Sequence, residues 1–335
     1  MSATTVAKPR ARWEFVGSPI FAPLVTQLLI WVVFWFAVPH FGTVRTLSGI
    51  VGAASINAVV VVGVTMLMIC GEFDLSVGSM IALGGFVFAD VLRAGASPIV
   101  ALLAALAVTA GAGAINGFLT VSTGIPSFIV TLGTRAVFRG AVWIYSGGVM
   151  RQFIKRMPVQ DVLNGRLDVV NSLFTQANFR TGTLWALALG IIFQIILTRS
   201  AFGNQVFAVG GNPGAALTQG VNIKWVKLAC FIITGALAGL AGVLTFSEFS
   251  TVLVVTGANV ELSVIAAAVI GGTLLTGGAG SIIGGLLGIL LISLLRSGVV
   301  LLGLPSDNYE AIVGVTIIGA ALLNDWIVRR SVAVS

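Results

Sequence analysis

Apolar runs of membrane-crossing length recur along this chain from one end to the other. Bounded by Gly, Pro, Asn or charge, ten of them fall near residues 20–38, 49–70, 76–93, 98–122, 127–146, 183–199, 226–247, 261–276, 281–303 and 308–327. The first would reach about 28 Å as a helix, close to the thickness of bilayer hydrocarbon. With 57% hydrophobic and 9% charged residues among 335, the chain has too much apolar surface for one or two soluble domains. The expected fold is an all-α polytopic membrane protein of about ten transmembrane helices.

Charge and cysteine narrow the class further. The net charge of +7 comes from 18 basic residues scattered between apolar runs, without the aromatic-interleaved basic blocks of a nucleic-acid surface. Cys70 and Cys230 both lie in apolar stretches, so neither a disulfide framework nor metal-ligand spacing is present in the sequence. The first run exceeds a signal-peptide core and no small-residue cleavage site follows it. It is read as an uncleaved span behind a basic cytoplasmic tail, residues 1–19, with Lys8, Arg10 and Arg12. The membrane domain is expected over 20–327, with an external loop at 147–182, an inner loop at 200–225 and a cytoplasmic tail at 328–335. Charge bias supports this orientation only weakly, because the 147–182 connection itself carries Arg151, Lys155, Arg156, Arg166 and Arg180.

Two acidic segments stand out against the apolar background: GEFDLSVGSMIALGG at 71–85 and GANVELSVIAAAVIGG at 257–272. Each places a carboxylate, Asp74 or Glu261, just before an LSV triplet containing Ser76 or Ser263, and each has a Gly-Gly pair beginning ten residues after the acid. A second pair of look-alikes, GIPS at 124–127 and GLPS at 303–306, is likewise five spans apart. An odd separation puts equivalent elements on opposite membrane faces, which implies two inverted five-helix halves with a translocation path between them. A carboxylate at such a place has two uses. It can accept hydrogen bonds from the free N–H groups of a helix start, or it can form part of a gate or polar path lining.

Other polar residues have equally definite alternatives. Ser55, Asn57 and Thr65 interrupt the second run, where they either bond between helices or touch a solute. Arg135 and Arg139, four apart, share a helix face, and Arg139 could pair with an acid such as Glu310 or snorkel outward, in either case a structural role. Asp90 and Arg93 have the spacing of a local ion pair. Gly113 with Gly117, Gly235 with Gly239 and Gly284 with Gly288 allow close helix approach. No GxxxxGK followed by Ser or Thr exists, so the chain cannot by itself be a P-loop ATPase, and no catalytic or metal site is expected.

The inner connection contains VGGNPGAALTQGVNIKWVK. Asn212 can cap, Pro213 suits the first helical position and Gly220 suits a stop, so a short helix is expected at about 213–219, either an ordinary surface loop or a docking element.

From about 47 to 324 the chain resembles the membrane permease of the ribose, xylose and arabinose class of ATP-binding cassette importers. That family's GGIDLSVGS appears here as GEFDLSVGS, and its RG before a Tyr-containing helix end matches Arg139, Gly140 and Tyr145. Its inner-loop pattern matches Gly210, Gly211, Asn212, Ala215, Ala216, Gly220 and Lys227, and its ELxxIAAxVxGGTxxxGGxGxxxG segment matches residues 261–284. The resemblance implies a ten-helix subunit working in a pair, and most simply a homodimer. Two ATPase subunits would bind the ATP and Mg, and a periplasmic or extracellular sugar-binding protein would deliver a monosaccharide at the bacterial inner membrane. No cofactor is expected in this chain and no nucleic acid among its partners.

It makes Asn57, Asp74, Ser76, Glu261 and Ser263 candidates for the path or gate, and Gly211, Asn212, Ala215, Ala216 and Gly220 candidates for ATPase coupling. The sequence departs from the family pattern at Glu72, at Pro213 and Gly214, and at Arg296 and Ser297, where relatives usually have Asn-Asn. Competing readings are an ion-coupled secondary transporter, a channel, or a permease for a nucleoside or branched-chain amino acid.

Overall fold

Capping side chains set several of the helix starts, and glycines set several of the ends. The computed structural model describes residues 21–304, together with Ala311, Gly314, Val315, Ile318 and Gly319, which are helical. The rest of the tenth apolar run, the Pro305–Ser306 end of GLPS and Glu310 lie outside the described residues.

Helix α1 (Phe21–Ala37) leads through a turn to α2 (Val44–Ile69), whose first turn is capped by Thr43. Helix α3 (Val77–Arg93) is followed by α4 (Pro98–Thr123), which opens on a Ser97 cap with Pro98 and closes at Gly124 in the left-handed conformation (φ 71°). Helix α5 (Ser127–Ser146) follows. The 147–182 connection then folds into strand β1 (Arg151–Gln152) and short helices α6 (Pro158–Asn164) and α7 (Asp168–Asn171). After it come α8 (Thr181–Arg199), α9 (Ala201–Gly211), α10 (Pro213–Thr218) and α11 (Ile223–Phe249). Strand β2 (Thr251–Val252), α12 (Val260–Ile270) and α13 (Ile282–Leu301) complete the described elements.

Six of these helices, α2, α4, α5, α8, α11 and α13, are long and apolar enough to cross a membrane. The protein is therefore all-α and multi-pass. The structure shortens the eighth expected span, 261–276, because α12 stops at Ile270. Residues 271–280 turn instead of continuing the helix, with Gly272, Gly277 and Gly278 at positive φ. At about 1.5 Å per residue, α12 reaches only about half the hydrocarbon thickness.

Helices α2 and α11 form the centre. Val59 to Val62 have no exposed surface, as expected for a helix that is apolar all round. Around them, α4, α5 and α8 turn apolar side chains outward, including Ile99, Phe118, Phe128, Val137 and Ile191, a surface suited to lipid. The close crossings fall on the glycines that the spacing singled out. A methyl group at Gly113 would overlap Phe231 O, and one at Gly235 would overlap Thr109 O, so α4 and α11 touch backbone to backbone. Gly284 on α13 is seated on Gly271 in the same way.

Asp90 does not pair with Arg93. Its partner is Arg151, at 2.8 Å, while Arg93 donates to Gln152 O and lies over the Phe153 ring. Strand β1 pairs antiparallel with β2, Arg151 opposite Val252, and this brings the long connection over α3. A three-residue spacing within one helix turn could not reveal that contact.

Gly235→Val is expected to force α4 from α11 and lower stability by roughly 1–3 kcal/mol. The measurement is the thermal-unfolding midpoint in detergent, with Gly111→Val as control, since nothing lies within 4 Å of a methyl placed there. Equal midpoints for the two variants would refute close packing at Gly235.

Candidate functional site

The first acidic segment folds into a closed polar knot. After α2 ends, Gly71 turns the chain (φ 87°) and residues 72–74 continue without regular secondary structure. Asp74 Oδ1 accepts hydrogen bonds from Ser76 N–H at 2.8 Å and from Ser76 Oγ–H at 2.7 Å. Asp74 Oδ2 accepts from Asn116 Nδ2 at 3.2 Å, and the same amide donates to Ser76 Oγ at 2.8 Å. Asp74, Ser76 and Asn116 are all fully buried. The neighbouring backbone is held to α5, where Phe73 N–H donates to Ser127 Oγ and Thr131 Oγ1 donates to Phe73 O. Asn116 was not singled out in the sequence, although it breaks an apolar run just as Asn57 does.

The second segment meets the first. Glu261, buried in the first turn of α12, lies 2.7 Å from Arg135 Nη2, and its carboxylate packs directly on Gly78. Arg139, on the same face of α5, donates to Thr256 O and Gly78 O at 2.9 Å each, and also to Val254 O. The two arginines thus share a face as their spacing predicts. Arg139 binds backbone carbonyls that no side-chain pattern reports, while Glu310 lies outside the described residues. Ser263 is half-buried on α12.

The contacts also fix the relative direction of α3 and α12. Their first turns touch at Gly78, Gly257 and Glu261, whereas the segment before α3 touches the turn after α12, with Gly278 N–H donating to Ile69 O at 2.8 Å. The two helices therefore run away from their contact in opposite directions.

Beside this junction is a cavity of about 430 Å³. Its polar lining includes Asn57 from α2, Asn178 and Arg180 from the end of the 147–182 connection, Glu248 from α11, Thr256 and Arg296 from α13. Arg180 Nε lies 3.4 Å from Glu248 Oε1, and Asn164 Nδ2 donates to Glu248 Oε2 at 3.1 Å. Of the polar residues that interrupt α2, Asn57 reaches the cavity, whereas Ser55 bonds back to Gly52 O within its own helix and Thr65 is buried. Asp74, Ser76, Glu261 and Ser263 are not among its lining residues. Asn178, Arg180 and Glu248 carried no sequence signal, because the fold of the long connection brings them there.

On another side of the subunit, the 200–225 connection forms α9 and α10. Asn212 Oδ1 accepts from Ala215 N–H at 3.0 Å, Pro213 begins α10, and Gly220 (φ 79°) ends the turn. Ala215 is exposed and Ala216 is buried, while Leu217, which the sequence reading passed over, projects outward. Gly210 fits between Ile69 O and Gly278 N, where a methyl group would overlap both, and Gly211 touches Gly278. An ion pair between Lys227 and Glu72 ties the start of α11 to the approach to Asp74, beside a cavity of about 680 Å³. Cys70 and Cys230 are buried free thiols, and no group of three potential metal ligands exists among the described residues.

Residues 46–321 match the family described as "Branched-chain amino acid transport system / permease component". The chain belongs to this family. It is 33% identical to the ribose import permease protein RbsC of Escherichia coli K12 over 291 residues, covering 86% of this chain and 87% of that protein. It is 30% identical to the ribose import permease protein RbsC of Bacillus subtilis 168 over 85% of this chain and 86% of that protein. It is 31% identical to the D-allose transport system permease protein AlsC of Escherichia coli K12, over 85% of each. These relatives put it in the ribose/xylose/arabinose class of ATP-binding cassette importer permeases. No solved structure matches it.

In this permease, removing the Asp74 carboxylate strands three buried donors, Ser76 N–H, Ser76 O–H and Asn116 Nδ2–H. Each costs roughly 1–3 kcal/mol when left without an acceptor. Asp74→Ala should therefore lower the unfolding midpoint in detergent more than Asp90→Ala. Combining it with Asn116→Ala should cost less than the sum of the single losses. Simple additivity would show that the knot is not a coupled unit.

Proposed function

We propose that this chain is the passive translocation subunit of a binding-protein-dependent sugar importer, working by alternating access. A separate ATPase energises it, and most simply it pairs with a second copy of itself in the bacterial inner membrane. ATP and Mg belong to the ATPase, and this chain contributes no cofactor. Membership of the permease family supports the transport role, and the names of its ribose and allose relatives support a monosaccharide or related polyol as cargo.

The membrane domain spans 20–327 in this reading, with tails 1–19 and 328–335 in the cytoplasm, 147–182 outside and 200–225 facing the ATPase. The opposed directions of α3 and α12 support two inverted halves. Their shared contact is then the point about which the halves rock. Asp74 and Ser76 stabilise the start of α3, and Glu261 and Ser263 that of α12. Asn57 lines the path.

The observation that carries the path assignment is the polar cavity joining Asn57 to the end of the 147–182 connection. A mostly apolar cavity with several hydrogen-bonding groups placed in its wall suits a small polyhydroxylated solute. The coupling assignment rests on α10, with Gly211, Asn212, Ala215, Ala216 and Gly220 building a short capped element joined by Gly210 to the chain on either side of α3 and α12. Helix-in-groove docking would pass a rigid-body change from the ATPase to that junction.

The test is ATP-dependent uptake of a sugar panel into proteoliposomes containing the permease, its ATPase and its binding protein. Asn57→Ala should lower uptake roughly fivefold, as expected for one lost hydrogen bond of about 1 kcal/mol. Its unfolding midpoint should stay unchanged. Ala215→Glu or Leu217→Asp should reduce co-purification of the ATPase, and undiminished recovery would refute the coupling role. Orientation is read by labelling. Ile154→Cys should react with an impermeant maleimide from outside, and Gln219→Cys only after permeabilisation. The reverse pattern would invert the topology.

A further inference from the structure

We propose that the cavity of about 680 Å³ between α4, α10 and α11 binds an anionic phospholipid, with the headgroup phosphate at Lys224 and an acyl chain lying along α4. Helix packing fixes where this cavity lies. Helices α4 and α11 run antiparallel, with Gly113 seated on Phe231 and Gly117 on Leu228. One turn further along α4 is Val121, and one turn back along α11 is Lys224, so the two flank the same opening. The 124–126 turn and Leu217 of α10 complete its walls. Because that turn joins two membrane-crossing helices, α4 and α5, the cavity lies at the membrane boundary, the level of lipid headgroups. Trp225, exposed beside Lys224, is a residue type enriched at that level. The site depends on the chain crossing a membrane and not on which solute it carries.

Three residues set the charge of the cavity: Lys224, Lys227 and Glu72. Glu72 is paired with Lys227. Lys224 is exposed, and no carboxylate among the described residues lies within ion-pair distance of it. Most of the remaining lining is apolar. An ammonium group beside apolar walls at a membrane boundary suits a phosphate that is attached to hydrocarbon. The apolar wall also continues out of the cavity. From Val121, Phe118 and Ile115 follow at three-residue spacing on α4, each with more than half of its surface exposed. A lipid headgroup in the cavity thus has a stripe along which its chain can lie, whereas a free phosphate ester would engage Lys224 and gain nothing from the stripe.

The experiment titrates the purified full-length permease in detergent with phospholipids of identical acyl chains and measures bound lipid by native mass spectrometry. Phosphatidylglycerol should bind roughly fivefold more tightly than zwitterionic phosphatidylcholine, the gain expected of one lysine near a membrane surface. Lys224→Gln should abolish that preference and Lys224→Arg should keep it. Arg199→Gln, at the end of α8 and outside the cavity, should leave it intact. Higher salt should reduce the preference. Glycerol phosphate, the anion without acyl chains, should displace phosphatidylglycerol only at a concentration roughly a hundredfold higher, because it lacks the buried methylene groups. Since Lys224 is exposed, its variants should keep the unfolding midpoint of the unaltered protein.

Equal binding of the two lipids by the unaltered protein overturns the proposal, as does a preference that survives Lys224→Gln. Displacement by equimolar glycerol phosphate assigns the cavity to a soluble phosphate ester and overturns the lipid assignment. Loss of the preference when the ATPase is added shows that the ATPase covers the cavity, and overturns it equally.

Discussion

Helix starts in the interior of a membrane protein leave backbone N–H groups without water to bond them, and two helices of this permease, α3 and α12, start in the interior. The segments that lead into them are held by buried polar contacts with neighbouring helices. Before the first start, Asp74 accepts from Ser76 and from Asn116, brought in from α4. At the second, Arg139 gathers the carbonyls of Val254, Thr256 and Gly78, while Arg135 neutralises Glu261. Both arginines come from α5, so one helix face holds the two starts together.

The starts are in contact and their helices diverge from that contact. The other end of the same arrangement is made of glycine backbone. Gly71, Gly210, Gly211, Gly277 and Gly278 pack with no side chain between them. Such contacts are stiff in compression, since a methyl group cannot be accommodated, yet they lack the interlocking side chains that would resist sliding. That combination suits a sliding contact between the α9–α10 segment and the chain before α3 and after α12. The Glu72–Lys227 ion pair adds a charged tie beside it.

Much of this was legible in local sequence. The bounds of α3, α4, α5 and α13 follow the apolar runs to within a few residues, because a cap or a terminating glycine is written beside each. The short α10 was readable from Asn212, Pro213 and Gly220 for the same reason. The length of α12 was not, since the apolar Leu274 and Leu275 prolong the run past the glycines at which the helix stops. Asp90 was misread because its true partner, Arg151, is distant in sequence and arrives with the β1–β2 pairing. The partners of Arg139 were not legible because they are carbonyl groups, which every residue possesses.

The sequence by itself determined that the chain crosses a membrane many times, that two acidic segments share a local pattern, and that the 200–225 connection carries a capped helix. Each of these depends on composition or on neighbours within a few residues, where hydropathy, helix period and capping chemistry act. Tertiary structure alone decided that the two acidic segments touch, that Asp74 is sealed in a knot while Asn57 faces a cavity, and that Arg180, Glu248 and Arg296 line that cavity together. Those outcomes depend on which helix faces approach one another, and the approach is set by packing volume and long-range backbone contacts that no short window of sequence contains.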